Sequence, residues 1–245
     1  MNAMSSDGST SLGELIAAVS HELRQPLASI RGLTEMMLGH WADFSDDDKV
    51  RMLQGVLHDA ERVGRMIDEL LDVSRLESGQ LALHTRATDV GAVAARVVNN
   101  LKLSYPDLEA TVDIGPQLPT IIVDAFKLEQ VFANIVENAC KYGSPAGIHI
   151  AASHNPAPGA PEVEISVSDR GEGIAAEDLP HVTEKFFRGG EGKSTGLGLG
   201  LWISKEIVEA HGGELVATSV VGTGTTVRFT IPLHEAARTG KLAGT

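Results

Sequence analysis

Apolar residues in the first part of the chain recur at helical spacing. Leu12, Leu15, Ile16, Val19, Leu23, Leu27, Ile30, Leu33 and Met37 stand mostly three and four apart, which at about 100° per residue forms one stripe. The stretch Gly39 to Ser45 interrupts it. Ser45 followed by Asp46, Asp47 and Asp48 predicts an N-cap with an acidic first turn, where carboxylates meet the positive end of the helix dipole. A second stripe runs through Val50, Leu53, Leu57, Ala60, Val63, Ile67, Leu70, Leu71 and Val73 and stops near Ser78-Gly79, a C-terminal helix signal. Two long helices with a short connection predict an antiparallel hairpin. One hairpin cannot cover its own stripe. Two are therefore expected to pair as a dimeric four-helix bundle, which makes the chain a homodimer.

The texture changes near residue 80. Strands are predicted at 81–84, 110–114, 120–123, 148–152 and 163–168, with a closing hairpin of 214–220 and 225–231 around Gly222-Thr223-Gly224. Helices are predicted between them at about 89–103, 124–142 and 197–211. Mixed strands and helices of this kind indicate an α+β chain whose second part is an α/β sandwich. The Pro- and Gly-rich stretch 154–161 reads as an exposed loop, and no internal repeat is present. The expected division is a disordered tail at 1–10, a helical domain at 11–79, a sandwich at 80–235 and a C-terminal tail at 236–245.

Composition narrows the function. With 42% hydrophobic residues the chain can bury a core, although only 4% are aromatic. A net charge of −13 disfavours nucleic acid as a partner. A local basic pocket for phosphate is still compatible with that charge. The single cysteine, Cys140, leaves no internal disulfide. No apolar run reaches the roughly 18–20 residues of a membrane span.

His21 lies about 180° from the centre of the first stripe, so it faces solvent. Glu22 is adjacent, and Gln25, four residues on, shares its face. Pro26 removes an N–H and clashes with the carbonyl of Glu22, at a cost of about 3 kcal/mol. A bend beside an exposed imidazole suits a nucleophile. A bend with idle surface polar residues fits the local sequence equally well.

Asn134 and Asn138 stand four apart on one helix face, with Lys141 a further turn on. Amide oxygens suit Mg²⁺, and a lysine neutralises phosphate charge. Asn is a poor helix former, so two in a strong helical stretch are unexpected as surface filler. Three glycine clusters follow. Asp169-Arg170-Gly171-Glu172-Gly173 closes a strand, where a carboxylate can accept from an adenine amino group and glycines admit close approach. Gly196-Leu197-Gly198-Leu199-Gly200 opens a helix whose N-terminal N–H groups suit phosphate. Gly222-Thr223-Gly224-Thr225 is a tight turn whose hydroxyls can face a nucleotide. Other motifs fail. Gly192-Lys193-Ser194-Thr195 lacks the first glycine of a P-loop, since position 187 is Phe. His21-Glu22 has no second His at position 25 for zinc, and no Gly-x-Ser-x-Gly elbow occurs.

Taken together, these segments resemble the catalytic core of bacterial sensor histidine kinases. SHELRQPL is similar to that family's H box, NIVENACKY to the N box and DRGEGI to the first glycine box. EKFFRG is similar to the F box, GLGLGL to the second glycine box and GTGT to the trailing glycine motif. The likeness spans about residues 11–233, in the family's order. It implies a phosphoacceptor hairpin followed by a Bergerat-type ATP-binding domain, with ATP and Mg²⁺ as cofactors. His21 is then the phosphoacceptor, Glu22 the general base and Asn138 the Mg²⁺ ligand, with Asn134 nearby. Lys141 and Tyr142 line the nucleotide, and Asp169 holds the adenine amino group beside Gly171 and Gly173. Arg188 approaches the phosphates. A lid from about Phe186 to Gly196 closes on Gly196, Leu197, Gly198 and Gly200, and Thr225 completes the set. The implied partner is the receiver domain of a response regulator. The expected location is cytoplasmic for this segment, which is compatible with a membrane-anchored full-length protein.

Two departures stand out. Position 25 is Gln where the family usually has Thr or Asn, a position tied to dephosphorylation of the regulator. Thr183 stands where the F box usually begins with Phe, removing an apolar anchor of the lid. The alternatives are a nucleotide-binding dimeric scaffold without kinase activity, and an ATPase or serine kinase on the same nucleotide fold.

Overall fold

The computed structural model describes residues 12–115, 117–155, 161–189 and 196–233, with the side chains of 12–18 outside that description. The expected tails, the centre of the 154–161 loop, lid residues 190–195 and the P-loop-like 192–195 stretch lie outside the described residues. The chain divides into two compact units.

The first unit is the helical hairpin. Helix α1 (Leu12–His40) runs unbroken through Pro26, and a short 3-10 turn (Trp41–Asp43) leads to α2 (Asp46–Glu77). The cap expected at Ser45 is present: its Oγ accepts the N–H of Asp48 at 3.1 Å. The helix stops where expected, with Gly79 at φ 64° and its N–H donating to the Leu76 carbonyl at 3.1 Å. Met37, Met66 and Val73 are buried, but Leu27, Val50, Leu53, Leu57, Ile67 and Leu71 stay between 47% and 60% exposed. The stripe is thus only partly covered within one chain.

The second unit holds α3 (Val90–Leu101), α4 (Ala125–Tyr142) and α5 (Gly200–Ala210) with a five-stranded sheet. Its strands are β2 (Glu109–Ile114), β4 (Ala146–Asn155), β5 (Glu162–Ser168), β6 (Leu215–Val220) and β7 (Gly224–Pro232), in the order β2-β4-β5-β7-β6. Only β2 and β4 are parallel. Period-two alternation puts Ile148, Ile150, Val163, Ile165, Val167, Val227, Phe229 and Ile231 on the buried face. The other face is polar, with an Arg228–Glu164 pair at 3.3 Å. Phe132 of α4 meets Phe229 of β7 edge to face at 5.7 Å, both fully buried. Burying one such ring contributes about 2 kcal/mol.

Two expectations need correction. The strand expected at 81–84 is instead β1 (Arg86–Thr88), paired antiparallel with β3 (Ile121–Val123). Leu81 to His84 have no ladder partner, and the His84 N–H goes to Asp124 Oδ2 at 2.9 Å. The helix expected at 197–211 starts only at Gly200 because Gly196 and Gly198 have φ of 120° and 67°. Sequence patterning also missed the 3-10 turn at Leu179–His181.

Candidate active site

The site grows from α4. Asp124 caps it, its Oδ1 accepting the N–H groups of Phe126 and Lys127 at 3.0 and 3.2 Å. Its own N–H donates to the buried His211 ring at 3.0 Å. The apolar face (Leu128, Val131, Phe132, Ile135, Val136) is buried, which turns Asn134 and Asn138 to the helix flank.

The two Asn residues have different roles in the structure. Asn134 donates to the Gly200 carbonyl at 3.0 Å and lies 3.3 Å from Ser204 Oγ, tying α4 to the first turn of α5. The Asn138 amide makes no hydrogen bond to any described residue. One turn on, Lys141 Nζ pairs with Glu137 at 2.8 Å. Burial works to lower the Lys141 pKa, but the Glu137 charge and hydrogen bond outweigh it, so the ammonium is held above its ordinary range. Tyr142 ends the helix half exposed.

At that end α4 meets the turn after β5. A side chain at Gly171 would place its Cβ 2.2 Å from Gly143 Cα, so only glycine allows the approach. Asp169 Oδ1 accepts the N–H of Gly171 at 2.7 Å and of Thr225 at 3.2 Å. Its Oδ2 has no hydrogen-bond partner among the described residues. Gly173 has φ 72° and presses against the Val220 carbonyl, 2.3 Å from where a Cβ would sit. Thr225 reaches Asp169 through its backbone, while its hydroxyl pairs with Ser219 Oγ at 2.9 Å and so is not turned to a nucleotide.

The remaining elements frame α5. Phe186 has φ 64° and donates its N–H to the Gly198 carbonyl at 3.0 Å. A Cβ on Gly198 would lie 2.6 Å from the Phe187 carbonyl. Leu197 is buried, and Arg188 is exposed just after Phe187. Leu199 offers the first turn of α5 no side-chain cap, which leaves the N-terminal N–H groups to an external acceptor. Thus Asn134 meets Gly200 at one point of α4, and Tyr142, Asp169, Gly171 and Thr225 are brought together at its end, whereas the Lys141 ammonium is turned to Glu137. Sequence reading missed Gly143 and Ser219. The KYG end of α4 was a signal for the first; nothing marked the second.

On the hairpin, His21 is exposed, as its phase predicts, and Gln25 is exposed on the same face. Glu22 is turned inward, 6% exposed, with Oε2 3.4 Å from Arg62 Nη2 of α2.

Residues 11–79 match the His Kinase A (phospho-acceptor) domain, and residues 123–235 match the histidine kinase-, DNA gyrase B- and HSP90-like ATPase family. The sensor histidine kinase WalK of Bacillus subtilis is 34% identical over 91% of this chain and 37% of its own length. The chain belongs to the sensor histidine kinases. It spans little more than a third of WalK. The solved histidine kinase AdeS of Acinetobacter baumannii shares its fold, with TM-score 0.67 and 22% identity over 88% of this chain and 98% of that one. The histidine kinase ThkA, solved in complex with the response regulator protein TrrA, aligns at TM-score 0.63 and 21% identity over 93% of this chain and 63% of that one. As a histidine kinase of the HATPase type, the sandwich is an ATP-binding unit. Among the described residues, no helix is long and apolar enough to cross a membrane.

The residues present fit a nucleotide and its metal. Among the described residues, the Asn138 amide and Asp169 Oδ2 have no hydrogen-bond partner, and Leu199 gives α5 no side-chain cap. An amide oxygen suits a hard cation, a carboxylate oxygen suits an amino donor, and a helix N-terminus suits phosphate.

Proposed function

We propose that the chain uses ATP to phosphorylate His21 and then passes the phosphoryl group to an aspartate on the receiver domain of a response regulator. The observation that carries this reading is the pairing of an exposed His21 on a hairpin with an Asn138 and Asp169 site whose ligand-facing atoms are uncommitted. Residues 11–79 form the phosphoacceptor domain and 80–235 the catalytic domain. Two hairpins pair through Leu27, Leu53, Leu57, Ile67 and Leu71, whose half-exposed side chains need a cover. The regulator partner is supported by family membership and by the complex in which ThkA was solved. The catalytic work is assigned to the cytoplasm, the compartment that supplies ATP.

In the reaction a neutral imidazole nitrogen of His21 bonds to the γ-phosphorus as the bond to the β,γ-bridging oxygen breaks, and ADP leaves. Glu22 takes the proton from the other ring nitrogen. Asp169 Oδ2 accepts from the adenine amino group, and the N–H groups at the start of α5 hold phosphate oxygens. Asn138 would hold Mg²⁺, which when bound would neutralise charge on the transferring group. Gln25 is polar and on the His21 face, suited to orienting a water during dephosphorylation of the regulator.

Incubation with γ-labelled ATP followed by acid and alkali treatment tests this. Label lost in acid and kept in alkali is the expected result. Acid-stable label points to a serine kinase, and no label to a scaffold; either overturns the reading.

A further inference from the structure

α2 reaches the phosphoacceptor segment through one ion pair that the sequence did not predict. Arg62 Nη2 lies 3.4 Å from Glu22 Oε2, and the two side chains are 21% and 8% exposed. The charged neighbours differ: His21 and Arg24 on α1, and Glu61 and Arg65 on α2, are all exposed. A carboxylate so far removed from water keeps its charge only beside a cation or hydrogen-bond donors. Adjacent residues on a helix also point about 100° apart, so the inward-turned Glu22 serves the exposed His21 ring only from a set rotamer. We infer that Arg62 is the positioning residue for phosphorylation of His21: from the facing helix it fixes the orientation in which Glu22 accepts the imidazole proton. This rests on the reading of His21 as acceptor and Glu22 as base. Arg62 touches neither the imidazole nor the nucleotide in this role and acts through Glu22.

The experiment measures the initial rate of acid-labile label uptake by the 245-residue chain against ATP concentration. It compares wild type, Arg62→Gln, Arg62→Lys, Glu22→Gln and the Arg62→Gln/Glu22→Gln double variant. Arg62→Gln is expected to lower kcat on the order of tenfold, a fraction of what general base catalysis provides. The KM for ATP should stay the same. Arg62→Lys, which keeps the charge, should recover most of the rate. Adding Arg62→Gln to Glu22→Gln should cost nothing further. An additive loss in the double variant, a raised KM with unchanged kcat, or failure of Lys to rescue overturns the inference. The Lys comparison keeps it testable should Arg62→Gln prove unstable. Absence of acid-labile label in the wild type is a separate failure, that of the parent reading.

Discussion

Asp169 and Thr225 hold each other from both sides: the Asp169 N–H donates to the Thr225 carbonyl at 2.9 Å, and Asp169 Oδ1 accepts the Thr225 N–H at 3.2 Å. This reciprocal pair, with the Gly171 N–H on the same oxygen, fixes the carboxylate through Oδ1 and leaves Oδ2 without a hydrogen-bond partner among the described residues. Asp169→Asn can keep Oδ1 on both backbone donors while replacing Oδ2 with a group that cannot accept from adenine. ATP affinity should then fall by about 1.5–3 kcal/mol, some tenfold to a hundredfold, with little change in melting temperature. Calorimetric titration beside a thermal melt checks it.

The two asparagines of α4 should separate stability from nucleotide binding. Asn134→Ala removes the bond to the Gly200 carbonyl and should lower unfolding free energy by about 1–2 kcal/mol. Asn138→Ala removes no bond within the described residues and should leave stability unchanged while abolishing Mg²⁺-dependent ATP binding. Urea melts and titrations with and without Mg²⁺ read the two effects.

Gly173 and Gly222 both have positive φ, 72° and 77°, but only Gly173 is crowded. Gly222→Ala should cost about 1–2 kcal/mol, the strain of a side chain in the left-handed region. Gly173→Ala should cost more, because its Cβ would lie 2.3 Å from the Val220 carbonyl and the turn must open. Equal losses in a urea series would contradict the close approach.

Stability should carry an acid-sensitive contribution from Asp124. Burial works to raise its pKa, but the N–H groups of His84, Lys127 and Phe126 and the nearby His211 outweigh it, so the carboxyl sits below its ordinary range. A depressed folded pKa stabilises fully above the unfolded value of about 3.9, and that stability is lost as pH falls through the folded value. Wild type should therefore weaken from about pH 5 to pH 3 more steeply than Asp124→Asn, which retains a good helix cap.

Much of this was legible because local chemistry and tertiary packing agree. Ser45 and Gly79 sit where side chain and backbone demand. The alternation of Val163, Ile165 and Val167 gives both strand and face. The 81–84 strand was misplaced because Leu81 and Leu83 carry the right pattern but lack a partner. A ladder depends on Ile121–Val123, far away in sequence. For α5, periodicity extended the helix backward through GLGL, and only the backbone of Gly196 and Gly198 stops it. At the site, residue types marked Asn138 and Asp169. The sequence could not show that Asn134 is bonded to α5, that the Thr225 hydroxyl faces Ser219, or that Glu22 faces Arg62. Each depends on a neighbour between 6 and 66 residues away.

The most direct test of the central claim is the location of the phosphate. After reaction with ATP, digestion at alkaline pH and peptide mass spectrometry should find one phosphate on the peptide containing His21, absent from His21→Gln and from Asn138→Ala. Phosphate found on another residue, or acid-labile phosphate persisting in His21→Gln, would contradict the account.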